Sequence, residues 1–259
     1  MLKIENVEVM GWEHAIRGMR NPMNSWDKSD SKKMYDMSIV SQLLGGLDQS
    51  DHTIKWILDN AHPYFELGPN DLDLMRCLRN SGTDHRKFMR MITVYLDITA
   101  PLYWWKEFDT YKVGTVANSC STMHKIAAKG FELDDFSHEH LYDGWTTEGD
   151  VLAVPNSMEV LTSTIDVLNQ YREIYLATKE KRYWWQMIQL LPSSYNQKRT
   201  VMLNYEVLAN MYKSRRNHKL DEWHILCNWM ETLPYSELIT GEKDRKLEFA
   251  DQPGLALGA

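Results

Sequence analysis

The sequence feature that most restricts the fold is a long helical repeat of apolar residues across Ser157–Lys181. Its apolar members follow one another at steps of three or four residues, so they lie on one face of an α-helix. These members are Leu161, Ile165, Leu168, Tyr171 and Tyr175. Because a helix with one apolar face must bury that face against other elements, the repeat predicts a core built largely from helices.

Further helices are predicted on both sides of this repeat. One spans 70–82, where an N-cap residue, early acidic residues and a terminal glycine mark its two ends. In the C-terminal half, 199–218 and 221–232 carry apolar residues at helical spacing. Short helices are expected near 11–19 and after Pro101, since proline is favoured in the first turn of a helix.

Strands are predicted mainly in the N-terminal half. Residues 2–10 partly alternate apolar and polar side chains, and Lys87–Ile98 is rich in β-branched and aromatic residues. Helices outweigh strands, which indicates an α+β fold. We expect one domain over 1–240 and a flexible tail over 241–259, where the apolar period is lost.

Composition and charge exclude several classes of protein. The net charge of −7 argues against a protein that coats polymeric nucleic acid, because such a protein needs excess Lys and Arg to displace counterions. No apolar run of about 18 residues is present to span a membrane, and no leader-like segment opens the chain, so we expect a cytoplasmic protein. Cys77, Cys120 and Cys227 are too far apart in sequence for a zinc motif, and no metal site is predicted.

Three segments carry the residues with the clearest chemical potential. The first joins an acidic residue, a histidine and a phenylalanine, namely Asp84, His85 and Phe88. The second holds one cation and three small polar residues, namely Lys112, Thr115, Asn118 and Ser121. The third follows Leu191-Pro192 and holds two amides and two arginines, namely Asn204, Asn210, Arg215 and Arg216.

In order and spacing, these segments resemble the flavin-dependent thymidylate synthases. The first resembles that family's Phe-Glu-His-x-x-Phe segment, and the third resembles its Asn-x-Arg-x-Leu-x-Asn/His-x-x-x-x-Arg segment. The second lies where the family has its Arg-His-Arg signature. There Lys112 keeps a cation and Thr115 a hydroxyl, while Asn118 and Ser121 keep polar groups if one residue is inserted before them.

The resemblance implies a small antiparallel sheet with several long helices, FAD as cofactor and assembly into a homotetramer. It implies an enzyme that acts on the uracil ring of a nucleotide, dUMP or a relative, with NADPH and methylenetetrahydrofolate as co-substrates. By the same resemblance, cofactor-binding groups are His85, Lys112, Thr115, Asn118, Asn204 and Asn210. Substrate-binding groups are Ser121, Arg215 and Arg216.

Arg215 is the catalytic candidate. A guanidinium carries a fixed positive charge, and such a charge beside a pyrimidine stabilises the negative charge that develops on the ring. Helical spacing predicts that Asn204, Leu208, Arg215 and Lys219 fall near full turns and share a surface, with Asn210 to one side.

The sequence departs from the family where anions are bound. Thr110 and Tyr111 replace the Arg and His of the signature, and Met123 and Ile188 align with two further arginines. Glu206 replaces the first Arg of the third segment, which reverses a charge. Losing two charge-assisted phosphate contacts weakens binding by about a hundredfold or more.

Two pairs of arginines are candidate replacements for the lost anion site. Arg17 and Arg20 are three residues apart at the predicted helix near 11–19. Arg86 and Arg90 form the second pair, four residues apart beside His85. For each pair the alternative is an ordinary basic surface.

Two other clusters have simpler explanations. His138-Glu139-His140 places two histidines on one side only in a strand, and its acidic surroundings are typical of a solvated loop. The pairs Trp104-Trp105 and Trp184-Trp185 can stack on a base or a flavin, but core packing is the commoner use of such residues.

Two functional interpretations stay open. The first is a flavin-dependent enzyme, favoured by His85, Asn204, Asn210 and Arg215. The second is a non-catalytic nucleotide- or flavin-binding descendant that serves as a binding or regulatory module, favoured by the missing signature. Structural explanations also remain for single residues, since a histidine can be part of the packing, a lysine can be solvated, and the amides can lie on an open helix face.

Overall fold

A computed structural model of the chain describes residues 2–35, 64–144 and 156–241. In chain order its elements are β1 (Lys3–Met10), α1 (Trp12–Arg20), β2 (Lys32–Met34), β3 (Tyr64–Glu66), α2 (Pro69–Asn80), β4 (Thr93–Pro101), α3 (Leu102–Phe108), β5 (Val116–Ser119), α4 (Thr122–Lys125), α5 (Ser157–Thr178), α6 (Lys181–Leu190), β6 (Asn196–Asn204), α7 (Tyr205–Arg215), α8 (Asp221–Glu231) and α9 (Glu237–Thr240). Short 3-10 helices lie at Asn21–Met23, Trp26–Lys28, Arg86–Met91 and Leu133–Asp135.

The chain forms two compact units. Unit 1 comprises Met1–Val9, Val94–Leu203 and Met211–Trp229. Unit 2 comprises Met10–Thr93, Asn204–Asn210 and Met230–Ala259. The single domain expected over 1–240 stays a prediction, and the expected tail beyond Gly241 lies outside the described residues.

Unit 1 contains a four-stranded sheet in the order β1-β4-β6-β5. Strands β5 and β6 are antiparallel, with Val116 opposite Met202. In β4, alternate residues from Val94 to Ala100 are buried, whereas Tyr95 between them is exposed. This period of two gives the strand one core face and one outer face. The mixed architecture confirms the predicted α+β class with a small antiparallel sheet and several helices.

Helices α5 and α6 of unit 1 enclose a separate apolar cluster. The predicted apolar face of α5 is buried at Leu161, Ile165 and Leu168, where it packs in one cluster with side chains such as Phe131 and Met187. Asn156 begins the helix, because its side chain accepts hydrogen bonds from the N–H groups of the first turn.

A group of large aromatic side chains fixes the short helix α3 within unit 1. Trp104 packs with its ring centre 5.0 Å from those of both Trp105 and Trp223, and Phe108 completes the group. All four side chains are almost fully buried. Core packing is therefore the observed use of the Trp104-Trp105 pair.

Unit 2 is organised around helices α1 and α2. Gly11 precedes α1 with a φ of 95°, and a Cβ at this position would lie 2.0 Å from the carbonyl oxygen of Met91, so only glycine fits. Trp12, at the start of α1, packs edge-on against Tyr205 and Tyr235. The predicted helices near 11–19 and 70–82 are both present.

Two segments differ from the predicted secondary structure. The predicted helix over 199–218 is wrong at its start, because β6 continues to Asn204 and the helix begins at Tyr205. The predicted strand over Lys87–Ile98 starts only at Thr93. In the first case Val201 and Leu203 are buried at a step of two residues, and strand pairing with β5 overrides the helical pattern.

Candidate functional site

Arg215, the predicted catalytic residue, ends helix α7 in a cluster of unit 1 with a carboxylate and two aromatic rings. Its Nη1 lies 2.8 Å from Oε2 of Glu107, and its Nε donates to the hydroxyl of Tyr111 at 3.0 Å. The guanidinium carbon lies 4.8 Å from the ring centre of Trp223. Such a position over an aromatic face favours a cation and fixes the plane of the guanidinium.

Glu107, on helix α3, anchors this cluster. The same Oε2 accepts a hydrogen bond from the indole N–H of Trp223 at 2.9 Å and lies 3.3 Å from Nε2 of His218. One carboxylate therefore positions residues from α7, α8 and the turn between them. Sequence reasoning missed Glu107, because nothing in the local pattern of α3 marks one acidic residue as the partner of a distant arginine.

Tyr111, one of the residues substituted in the signature segment, contacts Arg215 directly. It stands where the resembled family has a histidine, and its hydroxyl now accepts a hydrogen bond from Arg215. The altered residue and the retained arginine are thus direct neighbours within unit 1. Arg216 lies beyond the end of α7 and is exposed, so its side chain is open to solvent or ligand.

The segment from Lys112 to Ser121 holds the remaining site residues of unit 1. Thr115 has a buried hydroxyl with no hydrogen-bond partner among the described residues. Lys112 and Asn118 are exposed, and the hydroxyl of Ser121 accepts a hydrogen bond from the N–H of His124 at 3.1 Å. No hydrogen bond or ion pair joins any of these four to Arg215 in the described part of unit 1.

In unit 2, Glu206 forms an ion pair with both Arg86 and Arg90. Arg86 lies 3.3 Å from the carboxylate, and Arg90 makes a shorter contact with it. Burial opposes ionisation of the carboxylate, but the hydrogen bonds and charges of Arg90 and then Arg86 outweigh burial and lower the pKa of Glu206. The reversed charge at position 206 is therefore balanced inside unit 2, and this arginine pair is not a free anion site.

Of the other predicted residues of unit 2, Asn210 belongs to the same cluster as Glu206, whereas Asn204 and His85 do not. Asn210 accepts a hydrogen bond from Arg86 at 3.0 Å. The side-chain oxygen of Asn204 accepts one from the N–H of Val207 at 3.1 Å and so caps α7. His85 is exposed and precedes the 3-10 helix Arg86–Met91. Asn204 ends strand β6 and does not lie inside the helix as predicted, and the surface predicted for Asn204 and Arg215 stays a prediction.

The other candidate pair for the lost anion site is Arg17 and Arg20, and these two arginines have different surroundings. Arg20 is 4% exposed and donates to the fully buried Asp71 at 2.6 Å. Its other nitrogens donate to the backbone carbonyls of Ser25 and Lys28. Within the described part of the chain, the one side-chain contact of Arg17 is with the ring of His14, at 3.4 Å. Because Arg20 spends its donors on protein groups, it is not available to bind a phosphate.

No group of three or more His, Cys, Asp and Glu side chains within the described ranges is placed to hold a metal ion. Every helix in those ranges is too short or too polar to span a bilayer.

Comparisons with known proteins place the fold. No protein-family model and no curated protein matches the sequence. A structure of thymidylate synthase X from Helicobacter pylori with FAD and dUMP matches with a TM-score of 0.56 and 14% identity, over 93% of this chain and 97% of that one. A second structure of the flavin-dependent enzyme from that organism, complexed with FAD and dUMP, matches with a TM-score of 0.54 and 14% identity, over 92% and 97% of the two chains.

A weaker match is the UMP/dUMP methylase PolB from Streptomyces cacaoi bound with 5-Br UMP. Its TM-score is 0.47 at 14% identity, over 89% of this chain and 88% of that one. The matches to the Helicobacter pylori enzyme cover nearly the whole of both chains at low identity, and such a likeness concerns the fold. The resemblance first drawn from three short segments is thus confirmed in three dimensions, and the chain has the fold of the flavin-dependent thymidylate synthases.

Proposed function

We propose that the protein is an FAD-dependent enzyme that acts on the uracil ring of a pyrimidine nucleotide, dUMP or a relative. The fold is that of an enzyme solved with FAD and dUMP. By resemblance, NADPH and methylenetetrahydrofolate are the co-substrates, and the enzyme is a cytoplasmic homotetramer. At 14% identity the fold alone does not determine the chemistry, so the side chains carry the functional argument.

The observation that carries this proposal is the setting of Arg215. Two of its nitrogens are fixed by Glu107 and Tyr111, whereas Nη2 makes no hydrogen bond to a described residue. The side chain remains 20% exposed. A guanidinium held in one orientation with an open Nη2 can donate to a carbonyl oxygen of a pyrimidine, and it does so without reorganising in the transition state.

Arg215 then stabilises the negative charge that builds up on the uracil ring when a carbon substituent forms at C5. The carboxylate of Glu107 fixes the guanidinium but also offsets part of its charge. The ring of Trp223 excludes water from one side of the guanidinium, which strengthens its interaction with a nearby anion. Ser121 and Arg216 are the further substrate-binding residues that the resemblance proposes.

Thr115 is the residue whose structure best fits a cofactor contact. Its buried hydroxyl lacks a protein partner, and a buried polar group is normally hydrogen-bonded, so a ligand oxygen would satisfy it. We propose that Lys112, Thr115 and Asn118 of unit 1 bind FAD. In unit 2, His85, Asn204 and Asn210 are the cofactor-binding candidates that the resemblance implies. When bound, the reduced flavin supplies a hydride, and methylenetetrahydrofolate supplies the carbon that becomes the methyl group.

A non-catalytic binding module is the second candidate. It is favoured by the Glu107–Arg215 and Glu206–Arg90 ion pairs, because each satisfies a charge within the protein. This candidate also predicts ligand binding, but it predicts no turnover.

Titration with FAD, followed by visible absorption, tests the flavin assignment. The wild-type protein should bind FAD and show a yellow flavin band. Thr115→Val should weaken binding by about tenfold, the effect of one lost hydrogen bond. Thr162→Val is the matched control, since Thr162 is exposed and its hydroxyl donates to the carbonyl oxygen of Met158 within α5. A colourless protein that takes up no added FAD would exclude the flavin-dependent function.

A further inference from the structure

A pocket in unit 1 lies between helices α5 and α6, beside the short helix α4. Its volume is about 340 Å³, within the range of roughly 300–1,000 Å³ that is typical of small-molecule sites. Two lysines, one histidine, two aromatic rings and one buried aliphatic side chain are among the residues that line it, namely Lys179, Lys181, His124, Tyr175, Trp184 and Ile126. None of the candidate site residues described above lines this α5–α6 pocket.

The two aromatic walls are held by the core of unit 1. Tyr175 and Trp184 both pack against the apolar cluster that contains Ile126 and Leu168. The indole N–H of Trp184 donates to the carbonyl oxygen of Met123 at 3.1 Å. Because that N–H already has its partner, the ring keeps a fixed orientation and presents apolar surface to a planar ligand.

Among the described residues no carboxylate balances the charge of the two lysines of the pocket; their ammonium groups lie near aromatic rings, Lys179 5.9 Å from the ring centre of Tyr175 and Lys181 5.8 Å from that of Trp185. No acidic residue lines the pocket, and neither Lys179 nor Lys181 forms an ion pair with a described residue. Glu180, between them in sequence, pairs instead with Arg182 at 2.7 Å. Two lysines without carboxylate partners among the described residues, with the imidazole of His124 as a further hydrogen-bonding group, match an anion with more than one charge, such as a phosphate monoester.

Lys179 also occupies a backbone position that glycine would fill more easily. It ends α5 with a φ of 59° and donates its N–H to the carbonyl of Tyr175 at 2.8 Å. Helices usually place glycine in this left-handed conformation because a Cβ is unfavourable there. A lysine at this position therefore brings a cation to the pocket but makes the backbone less stable. Replacing it with glycine removes the cation and relieves the backbone, so binding should weaken while stability is kept.

We propose that the α5–α6 pocket binds a planar aromatic ring that carries a phosphate group, as in a nucleoside monophosphate or a flavin mononucleotide. Lys179 and Lys181 contact the phosphate, and Tyr175 or Trp184 stacks on the ring. This goes beyond the proposed function, because the pocket uses a different set of side chains from Arg215 and its neighbours. Binding here requires no turnover.

Isothermal titration calorimetry of the full chain tests the pocket with dUMP, FMN, uridine and inorganic phosphate. At least one of dUMP and FMN should bind. Uridine, which has a ring but no phosphate, and inorganic phosphate, which has no ring, should each bind at least tenfold more weakly. Lys179→Gly and Lys181→Ala should each weaken binding by about tenfold. Lys125→Ala is the matched control, since Lys125 is exposed on the neighbouring helix and does not line the pocket.

Thermal unfolding of the same variants separates binding from folding. Lys179→Gly should unfold at the same or a higher temperature than wild type while it loses affinity, which misfolding cannot explain. The proposed binding role of the pocket would be overturned if wild type, Lys179→Gly and Lys181→Ala bound dUMP and FMN with equal affinity. It would also be overturned if wild type bound neither dUMP nor FMN. Lysine-dependent binding by a protein that never turns over dUMP would instead contradict only the proposed enzymatic function.

Discussion

Arg20 in unit 2 and Arg215 in unit 1 are both arginines that sequence reasoning proposed as anion-binding groups, yet their surroundings differ. Arg20 is 4% exposed, and each guanidinium nitrogen donates to a protein oxygen. Arg215 is 20% exposed, lies over Trp223, and leaves Nη2 without a partner among the described residues. Every guanidinium nitrogen of Arg20 thus has a protein partner, whereas Arg215 keeps one nitrogen, Nη2, for a ligand.

This difference separates a structural arginine from a functional one. A buried guanidinium whose three nitrogens all donate to protein oxygens stabilises the fold around it, because removing it leaves a buried carboxylate without its charge partner. An arginine that is fixed at two nitrogens and open at the third contributes less to stability but can bind a ligand at low entropic cost. Replacing Arg20 should therefore lower stability more than replacing Arg215 does, and replacing Arg215 should lower activity more than replacing Arg20 does.

The largest effect on stability is expected for Arg20→Ala. The substitution leaves the buried carboxylate of Asp71 without its charge partner, so the free energy of unfolding should fall by about 3–5 kcal/mol. Urea unfolding, followed by circular dichroism, measures this change. Arg17→Ala, three residues earlier on the same helix, should change it by less than about 0.5 kcal/mol. If Arg20→Ala and Arg17→Ala changed the free energy of unfolding equally, the structural role assigned to Arg20 would be contradicted.

A smaller loss is expected for Glu206→Gln. The variant keeps the shape of the side chain but loses the ion pairs with Arg86 and Arg90, so the free energy of unfolding should fall by about 2 kcal/mol. The same urea measurement applies, with Glu173→Gln as the control, since Glu173 is exposed on α5. No loss in Glu206→Gln would show that the charge at position 206 is not balanced as described.

The difference between wild type and Glu206→Gln should also depend on pH. The pKa of Glu206 is lowered in the fold, chiefly by Arg90 against the opposing effect of burial. A lowered pKa gives stability that is present above the ordinary value of 4.5 and is lost as the pH falls through the folded value. Urea unfolding at pH 7, 5, 4 and 3 should show the two proteins converging below pH 4.5, and a constant difference would contradict this assignment.

The sequence predicts elements whose signal is local, such as α5, where Leu161, Ile165 and Leu168 follow one helical period. It fails at β6, because Val201, Leu203 and Tyr205 fit a strand period of two as well as a helical pattern. Pairing with the neighbouring strands β4 and β5 decides between them, and the pairing with β5 joins residues 80 to 86 positions apart.

Much of the site is beyond sequence reasoning for the same physical reason. Arg215 could be identified from a motif, but its partners Glu107 and Tyr111 lie 108 and 104 positions away. Asp71, which saturates Arg20, lies 51 positions from it. Whether an arginine is free or occupied depends on such distant partners, so spacing along the chain cannot distinguish Arg20 from Arg215.

The most direct test of the proposed function is tritium release from dUMP labelled at C5, measured with FAD, NADPH and methylenetetrahydrofolate. Wild type should release tritium, and Arg215→Ala should lower the rate by about 10²–10³, the usual effect of losing one donor to a developing negative charge. The free energy of unfolding of Arg215→Ala should change by only about 1 kcal/mol, and its flavin band should remain. Release at the wild-type rate by Arg215→Ala, or none by wild-type protein that binds FAD, would contradict the catalytic role proposed for Arg215.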